Sequence, residues 1–262
     1  MTTDKMIAEK DGAVGRMIFN NPERRNAVSL EMWEAIEKIV GDFNDDGEIR
    51  VIVLSGAGDK AFVAGADVSR FENERASAEA IEQYAQITAS ATEALYASPK
   101  PTIAQIRGFC IGGGVGIAGC CDLRIAADDA QFAIPAARLG LGYGYDNMRK
   151  LVPLVGPAVA KELFFTARRF KADEALTMGL VNRVVPVDEL KLIVDEYAEM
   201  ISDNAPLTIA AAKRTIGEVI KDPDQRDIEA CHRMVQACFD SDDYIEGRTA
   251  FMEKRKAVFK GR

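Results

Sequence analysis

Two glycine-rich stretches, each set between an apolar run and a helix-forming run, constrain this chain most. The first is Ser55-Gly-Ala-Gly-Asp-Lys-Ala-Phe-Val-Ala-Gly-Ala-Asp-Val68. It follows Val51-Ile-Val-Leu54, a continuous apolar run of the kind that forms a strand buried on both faces. A helix is expected to begin near Asp67. The second is Ile106-Arg-Gly-Phe-Cys-Ile-Gly-Gly-Gly-Val-Gly-Ile-Ala-Gly119, which leaves a strand candidate at residues 102–106 and enters an apolar helix. Glycine leaves backbone N–H groups unshielded by side chains. A helix N-terminus adds partial positive charge at the same place. Two such N–H groups converging on one point would stabilise a developing oxyanion. A triplet such as Gly112–Gly114 also permits close packing of a helix on a sheet, and the residues alone leave both readings open.

Several other chemistries are excluded. Gly114-Val-Gly-Ile-Ala-Gly119 fits the GxGxxG pattern, but a dinucleotide fingerprint must leave its strand directly and open its helix. Here the strand candidate ends several residues earlier and the match falls inside the helix. His232 is the only histidine and lies in a helical pattern far from both turns in sequence, which removes a Ser-His-Asp triad. The five cysteines (Cys110, Cys120, Cys121, Cys231 and Cys238) are odd in number and show no CxxC spacing, so neither a disulfide framework nor a metal site is expected. A net charge of −8 argues against a protein that coats nucleic acid. Neither a signal peptide nor a membrane span of about 20 apolar residues is visible, and a reducing cytoplasmic setting is expected.

Along the chain, strands are expected at residues 14–19, 51–54, 102–106, 122–126 and 181–185. Ser29 is expected to cap a helix carrying Leu30, Trp33, Ile36, Ile39 and Phe43 at helical spacing. Beyond Val187 the pattern turns helical, at residues 188–201, 206–220, 224–239 and 242–260. This order gives an α/β core over residues 1–200 and a helical C-terminal region over 201–262, acting as one unit.

At the two turns the sequence resembles the enoyl-CoA hydratase/isomerase (crotonase) family. Asn21-Pro-Glu-Arg-Arg-Asn-Ala-Val28 is similar to its first CoA-contacting loop, and Ala61-Phe-Val-Ala-Gly-Ala-Asp-Val68 to its AFxAGADx motif. Gly108–Gly119 with Cys121-Asp-Leu-Arg-Ile-Ala126, the stretch Ala172–Asn182, and Phe251-Met-Glu-Lys-Arg-Lys256 follow in the family's order. The resemblance implies a spiral of ββα-like turns with a C-terminal helical part used in trimerisation, as a homotrimer or dimer of trimers. It implies an acyl-CoA thioester as ligand, with CoA part of the substrate and no separate cofactor, and neither nucleic acid nor membrane as partner. It assigns the oxyanion hole to the N–H groups of Ala66 and Gly113. It sets Ala64, Asp67 and Val68 along CoA, with Phe251 and Lys254 reaching CoA, often in a neighbouring subunit. Lys254 also reads as a solvated basic helix end favoured by the macrodipole.

The pattern breaks where the family's hydratases resemble a two-carboxylate machine. Adding water across a conjugated double bond needs a base and an acid. The two glutamate positions are occupied here by Gly116 and Ala136. The following loop, Leu139-Gly-Leu-Gly-Tyr-Gly-Tyr-Asp-Asn147, offers Tyr143 and Asp146 as catalytic candidates. Packing against the pocket is the alternative for Tyr143, and capping the next helix is the alternative for Asp146. Asp122 reads as structural support for the second turn. The implied activity is decarboxylase-, isomerase- or residual hydratase-type chemistry through a thioester enolate. The competing class is an acyl-CoA-binding or scaffolding protein without catalysis.

Overall fold

The computed structural model describes residues 3–67, 70 and 76–262. The chain opens with an antiparallel hairpin, β1 (Met6–Asp11) and β2 (Val14–Phe19), turning at Gly12 with φ 58°. Helix α1 (Leu30–Asp45) then buries Met32, Trp33, Ile36, Ile39, Val40 and Phe43, the stripe that the apolar spacing predicts. Ser29 does precede it, but its side chain makes no cap; the hydroxyl donates to Glu31 instead.

Three strand–strand–helix turns follow. The first runs β3 (Val51–Gly56), β4 (Ala61–Val63) and α2 (Ala78–Ala97). The second runs β5 (Thr102–Ile106), β6 (Phe109–Ile111) and α3 (Gly113–Cys120). The third runs β7 (Leu123–Ala127), β8 (Gln131–Ala133) and α4 (Ala136–Leu139). In each turn the first strand enters one sheet and the second strand enters another. After the long α5 (Tyr145–Thr166), the segment β9 (Phe170–Lys171), α6 (Ala172–Thr177) and β10 (Arg183–Val185) completes both sheets. The six-stranded sheet has the order β1-β2-β3-β5-β7-β10, and the four-stranded sheet β4-β6-β8-β9. Neighbours are parallel except at β1–β2 and β8–β9.

β3 is buried on both faces, as its uninterrupted apolar run requires. Ile52 and Leu54 join the main core beneath α1, while Val51 and Val53 pack under α7 (Leu190–Ser202) with Leu190, Val194 and Ala198. Three further helices close the chain: α8 (Pro206–Val219), α9 (Ile228–Phe239) and α10 (Asp242–Glu253). Two of these differ from the sequence expectation. Residues 223–225 form a separate 3-10 turn, so α9 starts only at Ile228. α10 stops at Glu253 because Lys254 takes a left-handed conformation, φ 55°, with its N–H turned back to Ala250 and Phe251. Among the described residues no helix is long and apolar enough to cross a membrane. The helix expected near Asp67 falls largely outside the described residues.

Candidate active site

The first turn delivers one free amide. A parallel bridge joins Val28 to Ala66: Val28 N–H donates to Gly65 O at 2.8 Å, and Asp67 N–H donates to Val28 O at 3.0 Å. Ala64 N–H is taken by Arg25 O at 3.0 Å. Alternation along such a bridge turns the Ala66 N–H to the opposite side, away from Val28. Gly65 makes the bend with φ 108°, a conformation L side chains rarely adopt.

The second turn delivers the other. Gly112 sits before α3 with φ 54° and donates its N–H to Ala133 O at 2.8 Å. Gly113 is the first residue of α3, where backbone N–H groups have no partner within the helix. A Cβ placed on Gly113 would lie 3.8 Å from Ala66 N, so the two amide-bearing residues are neighbours. The glycine triplet therefore serves both of its possible uses, divided by position. Gly114 is the packing residue, since a Cβ there would stand 2.2 Å from Val63 O in β4. Gly113 faces the site.

Both amides border a cavity of about 820 Å³. Ala64, Ala66, Gly113, Tyr143 and Asp146 all line it. So do Gly116 and Ala136. Gly116 has open space where a side chain would project, and Ala136 is 4% exposed. No proton-transferring side chain stands at either position. A Cβ on Gly112 would lie 3.9 Å from the Tyr143 hydroxyl, which places that hydroxyl beside the second turn. The Tyr143 ring packs edge-to-face on Phe164 with centroids 5.0 Å apart, so it serves packing while presenting its oxygen near the glycine turn.

Asp146 does not cap the helix that follows. Gly144 is the N-cap of α5, and Asp146 lies within its first turn, bonded to Arg149 Nε at 3.1 Å with its side chain 71% exposed. Asp67 is buried and paired with Arg70 at 3.8 Å; it does not line the cavity. Val68 lies outside the described residues. Phe251 and Lys254 do not line the cavity, and Phe251 is 81% exposed. Asp122 is structural: its Oδ2 accepts from Thr102 N at 2.7 Å, Thr102 Oγ1 at 3.0 Å and Lys213 Nζ at 2.7 Å. Burial pushes the thiols of Cys110 and Cys121 far above their ordinary value and that of Cys120 up to about 11, which suits packing rather than nucleophilic attack.

Among the cavity residues that the sequence did not point to are Trp33, Glu93 and Lys150. Trp33, from α1, lies with Cζ2 3.4 Å from where a Gly113 Cβ would be, and its Nε1 is buried with no hydrogen-bond partner among the described residues. Glu93 and Lys150, from α2 and α5, form an ion pair of 3.0 Å in the cavity wall. A lysine and a glutamate among apolar helical positions were the only trace of this pair in the sequence.

Parallel strands wound between two sheets, with adjacent free amides over a cavity, define an α/β protein built to hold a hydrogen-bond acceptor. The family model "Enoyl-CoA hydratase/isomerase" matches residues 9–262. A short-chain-enoyl-CoA hydratase of Clostridium acetobutylicum is 36% identical, aligned over 98% of this chain and 97% of its own. A crotonyl-CoA hydratase of Syntrophomonas wolfei is also 36% identical, over 99% of both chains. The crystal structure of an enoyl-CoA hydratase/carnithine racemase from Magnetospirillum magneticum superposes with a TM-score of 0.95 at 35% identity, covering 100% of this chain and 97% of the other. The chain belongs to the enoyl-CoA hydratase/isomerase, or crotonase, family and has its fold.

Proposed function

We propose that this protein is an enzyme acting on acyl-CoA thioesters, with the thioester oxygen held by the N–H groups of Ala66 and Gly113. The adjacency of those two amides over a cavity is the observation that carries the reading. Negative charge that develops on the thioester oxygen as an enolate forms would be met by fixed donors, which need no reorganisation.

Chemistry that generates the enolate without a protein base fits Gly116 and Ala136 best. In decarboxylation of a 2-carboxyacyl thioester, the C–C bond to the carboxylate breaks and its electron pair passes to the α-carbon and the thioester oxygen. Carbon dioxide leaves, and the α-carbon then takes a proton. The Tyr143 hydroxyl, beside the glycine turn, is the proposed proton donor; Asp146, exposed and held by Arg149, is the weaker candidate. Isomerisation or residual hydration would have to use these same two groups.

The absence of both carboxylates also favours a second reading, an acyl-CoA-binding protein without turnover. Incubation with crotonyl-CoA, a 3-enoyl-CoA and methylmalonyl-CoA, followed by mass spectrometry, separates the two. Product from methylmalonyl-CoA that falls with Tyr143→Phe supports the enzyme. Binding without any product supports the second reading. No binding of acetyl-CoA at millimolar concentration would refute both.

The assembly proposed is a trimer or a dimer of trimers. Its support is the exposed apolar set on the last helices, including Ile216, Val219, Val235, Phe239, Phe251 and Met252. Such an assembly would let Phe251 and Lys254 reach a neighbouring subunit's ligand. All five cysteines are free thiols, which suits the proposed cytoplasmic setting.

A further inference from the structure

Buried polar groups are nearly always hydrogen-bonded, so an exception calls for a reason. Among the described residues three buried side-chain nitrogens have no partner: Trp33 Nε1, Arg50 Nη1 and Arg107 Nε. Of these only Trp33 borders the cavity. It is 4% exposed and sits in the apolar stripe of α1, a place that leucine or phenylalanine would fill without leaving a donor bare. The cations of the cavity wall, by contrast, are answered within the protein. Lys150 and Arg149 both pair with Glu93, at 3.0 Å and 2.9 Å, and Arg149 also pairs with Asp146.

The ring edge that carries Nε1 is the one turned to Gly113. Cζ2 and Nε1 are both bonded to Cε2, so they share one edge of the indole. Cζ2 stands 3.4 Å from the point where a Gly113 Cβ would be, and Ala66 N stands 3.8 Å from the same point. The indole edge and one of the two amides therefore flank a single spot beside Gly113. With the thioester oxygen on the amides, the α- and β-carbons are the parts of an acyl group that pass this spot.

The chemistry of the donor selects the chemistry of its partner. An indole N–H only donates. A hydroxyl would answer it but bring a proton that needs an acceptor of its own, and Gly116 and Ala136 supply none. A carbonyl or ionised carboxylate oxygen only accepts. Acyl groups with such an oxygen one carbon beyond the thioester carbonyl also form the enolate without a strong protein base. In a 3-oxoacyl group two oxygens share the charge, and in a 2-carboxyacyl group carbon dioxide leaves.

We infer that Trp33 Nε1–H binds the second oxygen of a 1,3-dicarbonyl acyl thioester, 3-oxoacyl or 2-carboxyacyl, and so selects that substrate class. The inference rests on the CoA-thioester reading above and narrows it. A saturated acyl chain would occupy the same amides and leave the indole donor bare.

The test uses the full-length protein and three esters of nearly equal size: butyryl-CoA, acetoacetyl-CoA and malonyl-CoA. By calorimetry acetoacetyl-CoA, malonyl-CoA or both should bind about fivefold more tightly than butyryl-CoA, the worth of one hydrogen bond. Malonyl-CoA is read as KM if it turns over. Which of the two gains identifies the second oxygen as ketone or carboxylate. Trp33→Phe should reduce the preference to within about twofold. So should replacement of Trp33 by its benzothiophene analogue, which keeps the ring shape without the N–H. Trp33 is the only tryptophan, so its indole N–H gives one side-chain signal in heteronuclear NMR of the unaltered protein. That signal should move downfield with the preferred ester and not with butyryl-CoA. No preference over butyryl-CoA, or a preference that survives loss of the N–H, overturns the inference and leaves the thioester reading standing. An indole signal that moves alike with all three esters does the same. Failure of every ester to bind overturns both readings together.

Discussion

Replacing Gly114 with alanine separates the packing use of the glycine triplet from its chemical use. The new Cβ would stand 2.2 Å from Val63 O and 3.1 Å from Val63 C, whereas ordinary contact begins at 3.4 Å. Both obstacles to relief are firm: Val63 is fully buried in β4, and Gly114 lies in the first turn of α3. Strand and helix must therefore part by about 1 Å. Overpacking of this kind costs about 1–3 kcal/mol. For a chain of this size each kcal/mol moves the melting temperature by about 2–4 °C, so a fall of roughly 2–12 °C is expected. The same separation draws Ala66, just beyond β4, away from Gly113. Losing one of two hydrogen bonds to a bound thioester would weaken acyl-CoA affinity by about 1 kcal/mol, roughly fivefold. Trp33, the only tryptophan, borders the cavity beside Gly113 and supplies the fluorescence signal for that titration. Gly116→Ala is the control. It lies in the same helix with nothing within 4 Å of a new Cβ, and should stabilise by about 0.4–1 kcal/mol. If Gly114→Ala melts with the unaltered protein and binds acyl-CoA as well, the close approach of α3 to β4 does not set the amide geometry.

Three further outcomes follow from the same structure. Gly116→Glu combined with Ala136→Glu should confer measurable hydration of crotonyl-CoA, followed by loss of the conjugated enoyl absorbance; no gain, in a protein that still binds the ester, would show that the missing carboxylates are not what limits this reaction. Asp122→Ala should destabilise by about 1–3 kcal/mol in urea denaturation, because the Thr102 N–H and hydroxyl lose their acceptor in a fully buried position; an unchanged midpoint would contradict its structural role. Glu246, held down to about 2 from 4.5 by the Arg255 side chain and then the Val258 N–H, clamps the segment after α10. Its folded-state value is the lower one, so the clamp is fully present above about pH 4.5 and is lost as pH falls toward about 2. Proteolysis of the C-terminal segment should rise across that window and be high at neutral pH in Glu246→Gln; equal rates in both proteins would rule the clamp out.

Much of the frame was legible because its elements carry strong local patterns. β2 and α1 match the sequence reading, and β3 was readable as doubly buried because Val51–Leu54 has no polar alternation. The short strands β4, β6, β8 and β9 were not legible. They have two or three residues each and exist only because neighbouring turns supply partners from far along the chain. β6 matters most, since it runs up to Gly112 and so fixes where the second amide points. The end of α10 was misjudged because a left-handed lysine leaves no compositional trace, unlike the usual glycine. Within the site, the glycine turns were visible from their spacing, whereas the Glu93–Lys150 pair was not. Its members are 57 residues apart by numbering (150 − 93) and meet only when α2 and α5 pack against the same cavity.

The most direct test is a crystal structure with a non-hydrolysable acyl-CoA analogue bound. Its carbonyl oxygen should lie within about 2.7–3.1 Å of both Ala66 N and Gly113 N, with the acyl chain passing Gly116 and Ala136. A carbonyl oxygen held by side chains elsewhere, with either amide left to water, would contradict it.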